Sequence, residues 1–479
     1  ATARAEARIT MPLKDKIRRE EVDYRIEATL REVSSDRIVA GRALTSEKLE
    51  MWATTEEIRL EGPFLLDGAP IRATWHQPLG AAAAEGGRIE GSIALSDATL
   101  DALDIPLPEG MIAGRGTGQF QLDLPRDEPP RLALQSDLSG LEVAIPGLGW
   151  SKPASQTGGF ELSAVLSEVP VVEALSLSAP GLALEGGITL GAEGGFDEVN
   201  FESLRVGDWL DASVTLTPRG AGRSPAISVT EGRLDLRNLP DGDGGPGDGA
   251  PIDVRLTEIV VSDGISLSPV IGSLQQGRAG LSGVLDARVN GRTPVRATLA
   301  PANAGTAFRV QSNNAGGVIQ DAGLTPNARG GALDLVLTPI VGARKGTYDG
   351  QFLIEGGIRL RKAPILADLL DAISVVGLID QLQGPGILFN TVDGKFRLTT
   401  NQLHLLEAAG VGASLGVSAE GIYDFRIKKM DISGVISPIY FVNAIGAVIS
   451  RRGEGLFGFN YRMTGSPDDP RVGVNPLSI

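Results

Sequence analysis

Few residues in this chain have types and spacings that invite chemistry. Gly412-Ala413-Ser414-Leu415-Gly416 has the spacing of a hydrolase nucleophile elbow, where a strained strand-to-helix turn exposes a serine to a neighbouring histidine. That fold order puts the histidine after the serine, yet His76 and His404, the two histidines of the chain, both precede Ser414. Ala413, Leu415, Val417 and Ala419 also alternate with other residues as in a strand, so the segment reads as Gly-bracketed β structure. Two G-x-G-x-x-G spacings occur, Gly242/Gly244/Gly247 and Gly453/Gly455/Gly458. A dinucleotide fingerprint must leave a strand and open a helix. The first lies among Asp241, Asp243 and Asp248, which would repel a pyrophosphate, and the second enters the expected strand Phe457–Tyr461. The three aspartates would suit Ca²⁺ in a flexible loop, but an EF-hand needs Asp or Asn where Gly245 stands, Gly at Pro246 and Glu at Ile252. Asp468-Asp469-Pro470 reads as a turn whose adjacent carboxylates face opposite ways. His404 is expected on the solvent face of a strand and His76 near a turn, neither with a third partner at readable spacing. No residue is assigned to catalysis, to a metal or to a cofactor.

Composition narrows the classes further. The chain has 479 residues, 63 Gly, 29 Pro, no Cys and a formal charge of −15. Disulfides are impossible, and zinc sites built from Cys and His are nearly excluded for want of ligands. The missing Cys leaves the compartment open, because cysteine avoidance suits reducing and oxidising surroundings alike. An acidic chain is a poor phosphate tracker, which argues against nucleic acid as a partner and disfavours anionic membrane surfaces for the same reason. At 42% hydrophobic and 22% charged the chain can bury much apolar area, but single cores stop growing near roughly 250–300 residues, so two domains or an extended architecture follows. The most apolar run, Val435–Ile449, is interrupted by Pro438 and Asn443 and is too short for a membrane span. The chain starts at Ala1 without a Met or a signal-like apolar core, as expected of a processed or truncated product.

The elements are mostly strands. In Asp23–Leu30, Tyr24, Ile26, Ala28 and Leu30 point one way and their polar neighbours the other, the period of a half-buried strand. Leu210–Leu216, Ile252–Leu256, Leu285–Val289 and Tyr423–Ile427 repeat it. Pro180-Gly181, Gly186-Gly187, Pro218-Arg219-Gly220 and Asp393-Gly394 read as turns between such runs. A strand with its turn every ~8–12 residues predicts on the order of 40 strands in antiparallel meanders. Pro240–Pro251, rich in Gly, Pro and Asp, is either a linker dividing 1–239 from 252–479 or a long loop within one continuous sheet. Two short amphipathic helices are expected, near 364–382 and 438–450. Pro364 suits a helix start and Gly377 a kink or stop, while Arg451-Arg452-Gly453 suits a helix end. The wide apolar arc of the first fits either burial against the sheet or a lid over a lipid-filled groove.

The last ~130 residues resemble the C-terminal region of the AsmA-like proteins. The resemblance is carried by Gly356–Leu370, Ser374–Leu378, Gly384–Phe389, Gly421–Asp424, Gly434–Tyr440, Gly453–Gly458, Tyr461–Gly465, Asp469–Val472 and Asn475–Leu477. Residues 1–239 are similar in style to the β-rich middle region of YhdP-type members. The resemblance implies a periplasmic part of a Gram-negative bridge-like lipid transfer protein, anchored in the inner membrane by a segment absent from this chain. Its partners would be phospholipid acyl chains and the inner and outer membranes or envelope proteins.

Residue patterning supplies a mechanism for such a role. A sheet with one apolar face must cover it with helices, with another sheet, or with something other than protein. The expected fold is mainly β, an elongated, curved, gutter-like antiparallel β-groove, in which 30 or more strands at ~4.8 Å spacing would extend on the order of 140 Å. Aromatic residues, 5% of the chain, are few, which suits aliphatic walls that slide past lipid tails. Leu182, Leu184, Ile188, Leu190, Leu210, Val214 and Leu216 are the expected groove wall, chosen by alternation alone. A non-transporting envelope scaffold or outer-membrane assembly factor is the alternative, and an envelope hydrolase would need a converging acid/base pair.

Overall fold

The computed structural model describes residues 2–18, 21–36, 42–105, 107–108, 110–191, 195–240, 247–344, 346–362, 364–373, 376–438, 458–466 and 469–475. Among these the protein is mainly β, with thirty-two strands and four short α-helices. Strands are fewer than the turn spacing predicts because many run nine to thirteen residues. The chain forms two compact units, residues 1–220 and 221–479.

The first unit contains β1 (Thr2–Thr10), β2 (Asp23–Ser35), β3 (Leu44–Thr54), β4 (Glu57–Leu66), β5 (Ala69–Pro78), β6 (Gly87–Leu95), β7 (Ile112–Gly114) and β8 (Gly116–Leu124). It continues with β9 (Arg131–Ser136), β10 (Leu141–Ile145), β11 (Trp150–Lys152), β12 (Gly159–Val165), β13 (Val171–Ala179), β14 (Leu182–Leu190), β15 (Phe196–Val206) and β16 (Leu210–Thr217). Each pairs antiparallel with the next, except that β8 follows β6 and β12 follows β9 in the ladder. The skipped strands β7, β10 and β11 make a separate three-stranded sheet. Helix α1 (Asp97–Ala102), begun by Ser96 accepting from the Thr99 N–H, follows β6.

The second unit contains β17 (Ala226–Asp235), β18 (Ala250–Leu256), β19 (Glu258–Ser262), β20 (Ile265–Gly277), β21 (Gly280–Val289), β22 (Thr293–Ala302), β23 (Gly305–Ser312) and β24 (Ala328–Pro339). Then come β25 (Tyr348–Leu360), β26 (Ile387–Phe389), β27 (Thr391–Leu398), β28 (Gln402–Val411), β29 (Leu415–Asp424), β30 (Lys429–Pro438), β31 (Phe459–Ser466) and β32 (Asp469–Asn475). β17 pairs in parallel with β18 and β19, and β20 runs antiparallel to both. From β20 to β32 every pairing is antiparallel, with β26 and β27 sharing the edge of β25. The two units divide at Gly220, and residues 241–246 of the 240–251 segment lie outside the described residues. Strands β17 and β18 pair in parallel, so the chain must travel back the length of a strand between them.

Helix α2 (Ala315–Asp321) and the pair α3 (Pro364–Ala372) and α4 (Val376–Gln383) belong to this unit. Sequence reasoning missed α1 and α2, each too short to show a helical period. The helix expected near 364–382 starts at Pro364 as predicted, but the break comes ahead of Gly377, which lies within α4. The helix expected near 438–450 and the Gly453/Gly455/Gly458 spacing lie outside the described residues, apart from Pro438 at the end of β30 and Gly458.

Turn chemistry is right at Pro180-Gly181, where Gly181 takes a φ of 79° between β13 and β14. It is wrong at Gly186-Gly187 and Asp393-Gly394, which lie inside β14 and β27. Gly394 is there because a Cβ would sit 2.7 Å from the Phe352 ring on the neighbouring strand. Gly350 likewise leaves room for Phe396, whose ring a Cβ would meet. Much of the glycine content is thus cross-strand packing space.

Candidate functional site

Cross-strand pairing turns the alternation of single strands into continuous rows. In the first unit one row reads Ala5, Ala28, Met51, Leu60, Trp75, Ile89, Leu122, Leu132, Ala164, Val172, Ile188, Val199, Leu216, one residue from each of the thirteen strands of the ladder. None of these residues is charged. A parallel row runs Gly62, Ala73, Gly91, Phe120, Leu134, Leu162, Leu175, Gly186, Phe201, Val214. At about 4.8 Å per strand the thirteen-residue row is roughly 60 Å long.

All seven expected wall residues fall on this face. Leu182 pairs with Val206 and Leu210 beyond it, Leu184 with Leu204, Ile188 with Val199 and then Leu216, Leu190 with Phe196, and Val214 with Phe201. Leu182, Leu184 and Val214 are buried, while Ile188, Leu190, Leu210 and Leu216 are half-buried. Sequence reasoning missed the continuation through Met51, Leu60, Trp75, Ile89 and Leu122. These too are half-buried, so apolar surface remains accessible along the row.

The small sheet of β7, β10 and β11 is pinned beside β13 and β14. Trp150 donates its indole N–H to the Pro180 carbonyl at 2.9 Å. The Lys152 ammonium, fully buried, donates to the carbonyls of Leu138, Leu141 and Pro153 at 2.9, 2.8 and 3.1 Å. A buried ammonium is tolerated only with such a set of acceptors.

The second unit builds the same rows. One runs Ile227, Ile252, Leu274, Gly283, Leu299, Phe308, Leu337, Gly350, Phe396, Leu405, Gly421, Ile432, Met463, Val472 without a polar side chain. Here part of the face is filled by protein. Leu369, Leu370, Leu378 and Leu382 of α3 and α4 are buried in one cluster with Ile354, Ile358, Phe389, Leu415, Ile436 and Met463. Burial against the sheet is thus the state observed for this helix pair. Tyr461 in the same cluster donates its hydroxyl to the Ser418 carbonyl at 2.8 Å, and burial pushes its phenol well above the usual value.

The opposite face is a ladder of ion pairs. Arg88 meets Asp123 at 2.6 Å, Arg296 meets Asp286 at 2.8 Å, Arg397 meets Asp349 at 2.8 Å and Arg462 meets Asp431 at 2.6 Å. The Arg296 and Arg462 guanidiniums hold the Asp286 and Asp431 carboxyls below the usual carboxylate range. Exposed pairs of this kind are worth little stability each. Their effect is to mark which face is wet, since a one-residue slip would put every charge on the apolar side.

The residues with hydrolytic or metal-binding spacing are not brought together. His76 Nε2 lies 2.5 Å from Glu57 on the polar face, and His404 Nε2 lies 2.9 Å from Gln402. Ser414 sits in the turn between β28 and β29, where the Gly412 N–H donates to the Leu415 carbonyl at 2.9 Å. Asp241 and Asp243 lie outside the described residues, and Asp248 accepts from the Ser224 N–H. Among the described residues no group of three or more His, Asp or Glu is placed to hold a metal ion, and no helix is long and apolar enough to cross a membrane. The chain matches no known protein family, no curated protein and no solved structure.

Proposed function

We propose that the apolar sheet face carries phospholipid acyl chains, and that the chain is the periplasmic part of a bridge-like lipid transfer protein working between inner and outer membranes. The observation that carries this reading is the uncharged row that crosses all thirteen ladder strands of the first unit and stays half-buried along much of its length. Soluble proteins rarely leave contiguous apolar surface of that extent without an occupant. Acyl chains need only an aliphatic wall, with headgroups left in water, so the carriage requires no catalytic residue. The resemblance of the C-terminal residues to AsmA-like proteins points the same way.

A second reading is an envelope scaffold without cargo. It is favoured by the helix pair in the second unit, where Leu370 and Leu382 already fill the apolar face. Native mass spectrometry and lipid extraction of the purified chain decide between them. Several phospholipids per chain are expected for a carrier, and a lipid-free chain identifies the scaffold.

A further inference from the structure

One rim of the second unit displays side chains that neither the apolar face nor the ion-pair ladder uses. The turns joining β24 to β25, β27 to β28 and β29 to β30 are successive along this rim, because the strand ends Pro339, Tyr348, Leu398, Leu403, Tyr423 and Met430 pair in that order. Alternation predicts Tyr423–Ile427 as strand, which would put Phe425 and Ile427 together with Tyr423 on the apolar face. The strand instead ends at Asp424, whose carboxylate accepts from the backbone N–H groups of Arg426 and Ile427 and turns the chain. Phe425 and Ile427 are consequently 40% and 60% exposed, and Val341 in the β24–β25 turn is 72% exposed.

Basic residues are concentrated around them. Arg344, Arg426, Lys428 and Lys429 are all exposed at these turns. The facing carboxylates are occupied: Asp349 by Arg397 at 2.8 Å, and Asp424 by Gln402 at 3.0 Å and by its own turn, with Arg426 at 3.9 Å. Asp469 lies at the next turn along the rim. Such a cluster is unexpected on a chain of net charge −15. The loop between β1 and β2 also exposes an apolar residue, Leu13, but there Lys14 is paired with Glu21 at 2.5 Å.

We propose that this rim docks on an anionic phospholipid surface, with Val341, Phe425 and Ile427 entering the interface and Arg344, Arg426, Lys428 and Lys429 meeting the phosphates. Exposed apolar side chains on successive turns, with the Phe425 ring edge-on against Tyr423 at 5.3 Å between centroids, suit a soft, planar, negatively charged layer. The strand-end residues Tyr348, Leu398, Leu403, Tyr423 and Met430 form an apolar row directly beneath the tips. Acyl chains leaving the layer would meet apolar side chains at once. Docking is separable from carriage, since a chain that carries no lipid can still dock.

The test is flotation of the whole chain with vesicles of phosphatidylglycerol and phosphatidylcholine at 1:3, against phosphatidylcholine alone. Binding is expected to the anionic vesicles, to weaken steeply from 0.05 to 0.5 M salt, and to fall at least about tenfold in Arg426→Glu/Lys428→Glu, since each basic residue near such a surface contributes several-fold. Phe425→Ser/Ile427→Ser is expected to bind as weakly. The chain lacks Cys, so Ile427→Cys carries a single environment-sensitive dye, expected to shift to the blue on docking. Wild-type protein that does not float, variants that float equally well with unchanged circular dichroism, or a dye that does not shift would each overturn the proposal. Lipid content by mass spectrometry is read separately, so a chain that docks but carries no lipid sinks the carriage reading alone.

Discussion

Ile188 and Thr189 are adjacent in β14 and face opposite ways, which makes them a sharp pair for testing the lipid path. Ile188 is half-buried between Val172 and Val199, whereas Thr189 is exposed beside Val171 and Glu198 on the wet face. Full burial of an isoleucine contributes roughly 1.5–3 kcal/mol, so Ile188→Asp should cost about 1 kcal/mol of stability while its carboxylate keeps contact with water. A lipid tail lying over that position would strip the water away. An unpaired polar group left against hydrocarbon costs roughly 2–7 kcal/mol, and the low end alone weakens occupancy on the order of thirtyfold. Thr189→Asp should change neither quantity measurably. The assay is native mass spectrometry of lipid per chain, with urea unfolding to confirm that both variants are folded. Equal lipid content in folded Ile188→Asp and wild-type protein would refute the reasoning, as would an equal loss in Thr189→Asp.

Three further outcomes are expected. Gly350→Ala places a Cβ inside the van der Waals envelope of the Phe396 ring and should destabilise by about 1–3 kcal/mol in urea unfolding, with Phe396→Leu in the same chain recovering part of the loss. Lys152→Met leaves the carbonyls of Leu138, Leu141 and Pro153 without their donor, so amide exchange across residues 138–153 should rise at least about tenfold while the long ladder keeps its protection. Asp235 is buried, and its hydrogen bonds with Arg237 hold its carboxyl down to about 2. A depressed carboxyl stabilises the fold above its ordinary value and loses that contribution as pH falls through about 2, so wild type and Asp235→Asn should differ at pH 7 and converge between pH 4 and pH 2 in unfolding midpoint.

The face each strand presents was readable from alternation, because a side chain's direction in a strand depends only on its parity. Leu182, Leu184, Ile188, Leu190, Leu210, Val214 and Leu216 all share the apolar face for that reason. The long row that joins them to Trp75 and Ile89 was not readable. Register shifts at Ser163/Ala164, Val172/Leu175 and Glu185/Gly186 change which residues stand opposite each other, and only paired strands reveal those offsets. Gly394 resembles a turn residue in sequence because glycine serves both turns and crowding, and the Phe352 ring across the ladder decides between them. Phe425 and Ile427 continue the alternation of β29 into a turn, since the hydrogen bonds of Asp424 end the strand before the pattern does. Local periodicity thus determined that this chain builds sheets with one apolar side. Cross-strand pairing, a long-range property, decided how far that side runs, where helices fill it and which apolar residues are left at the rim.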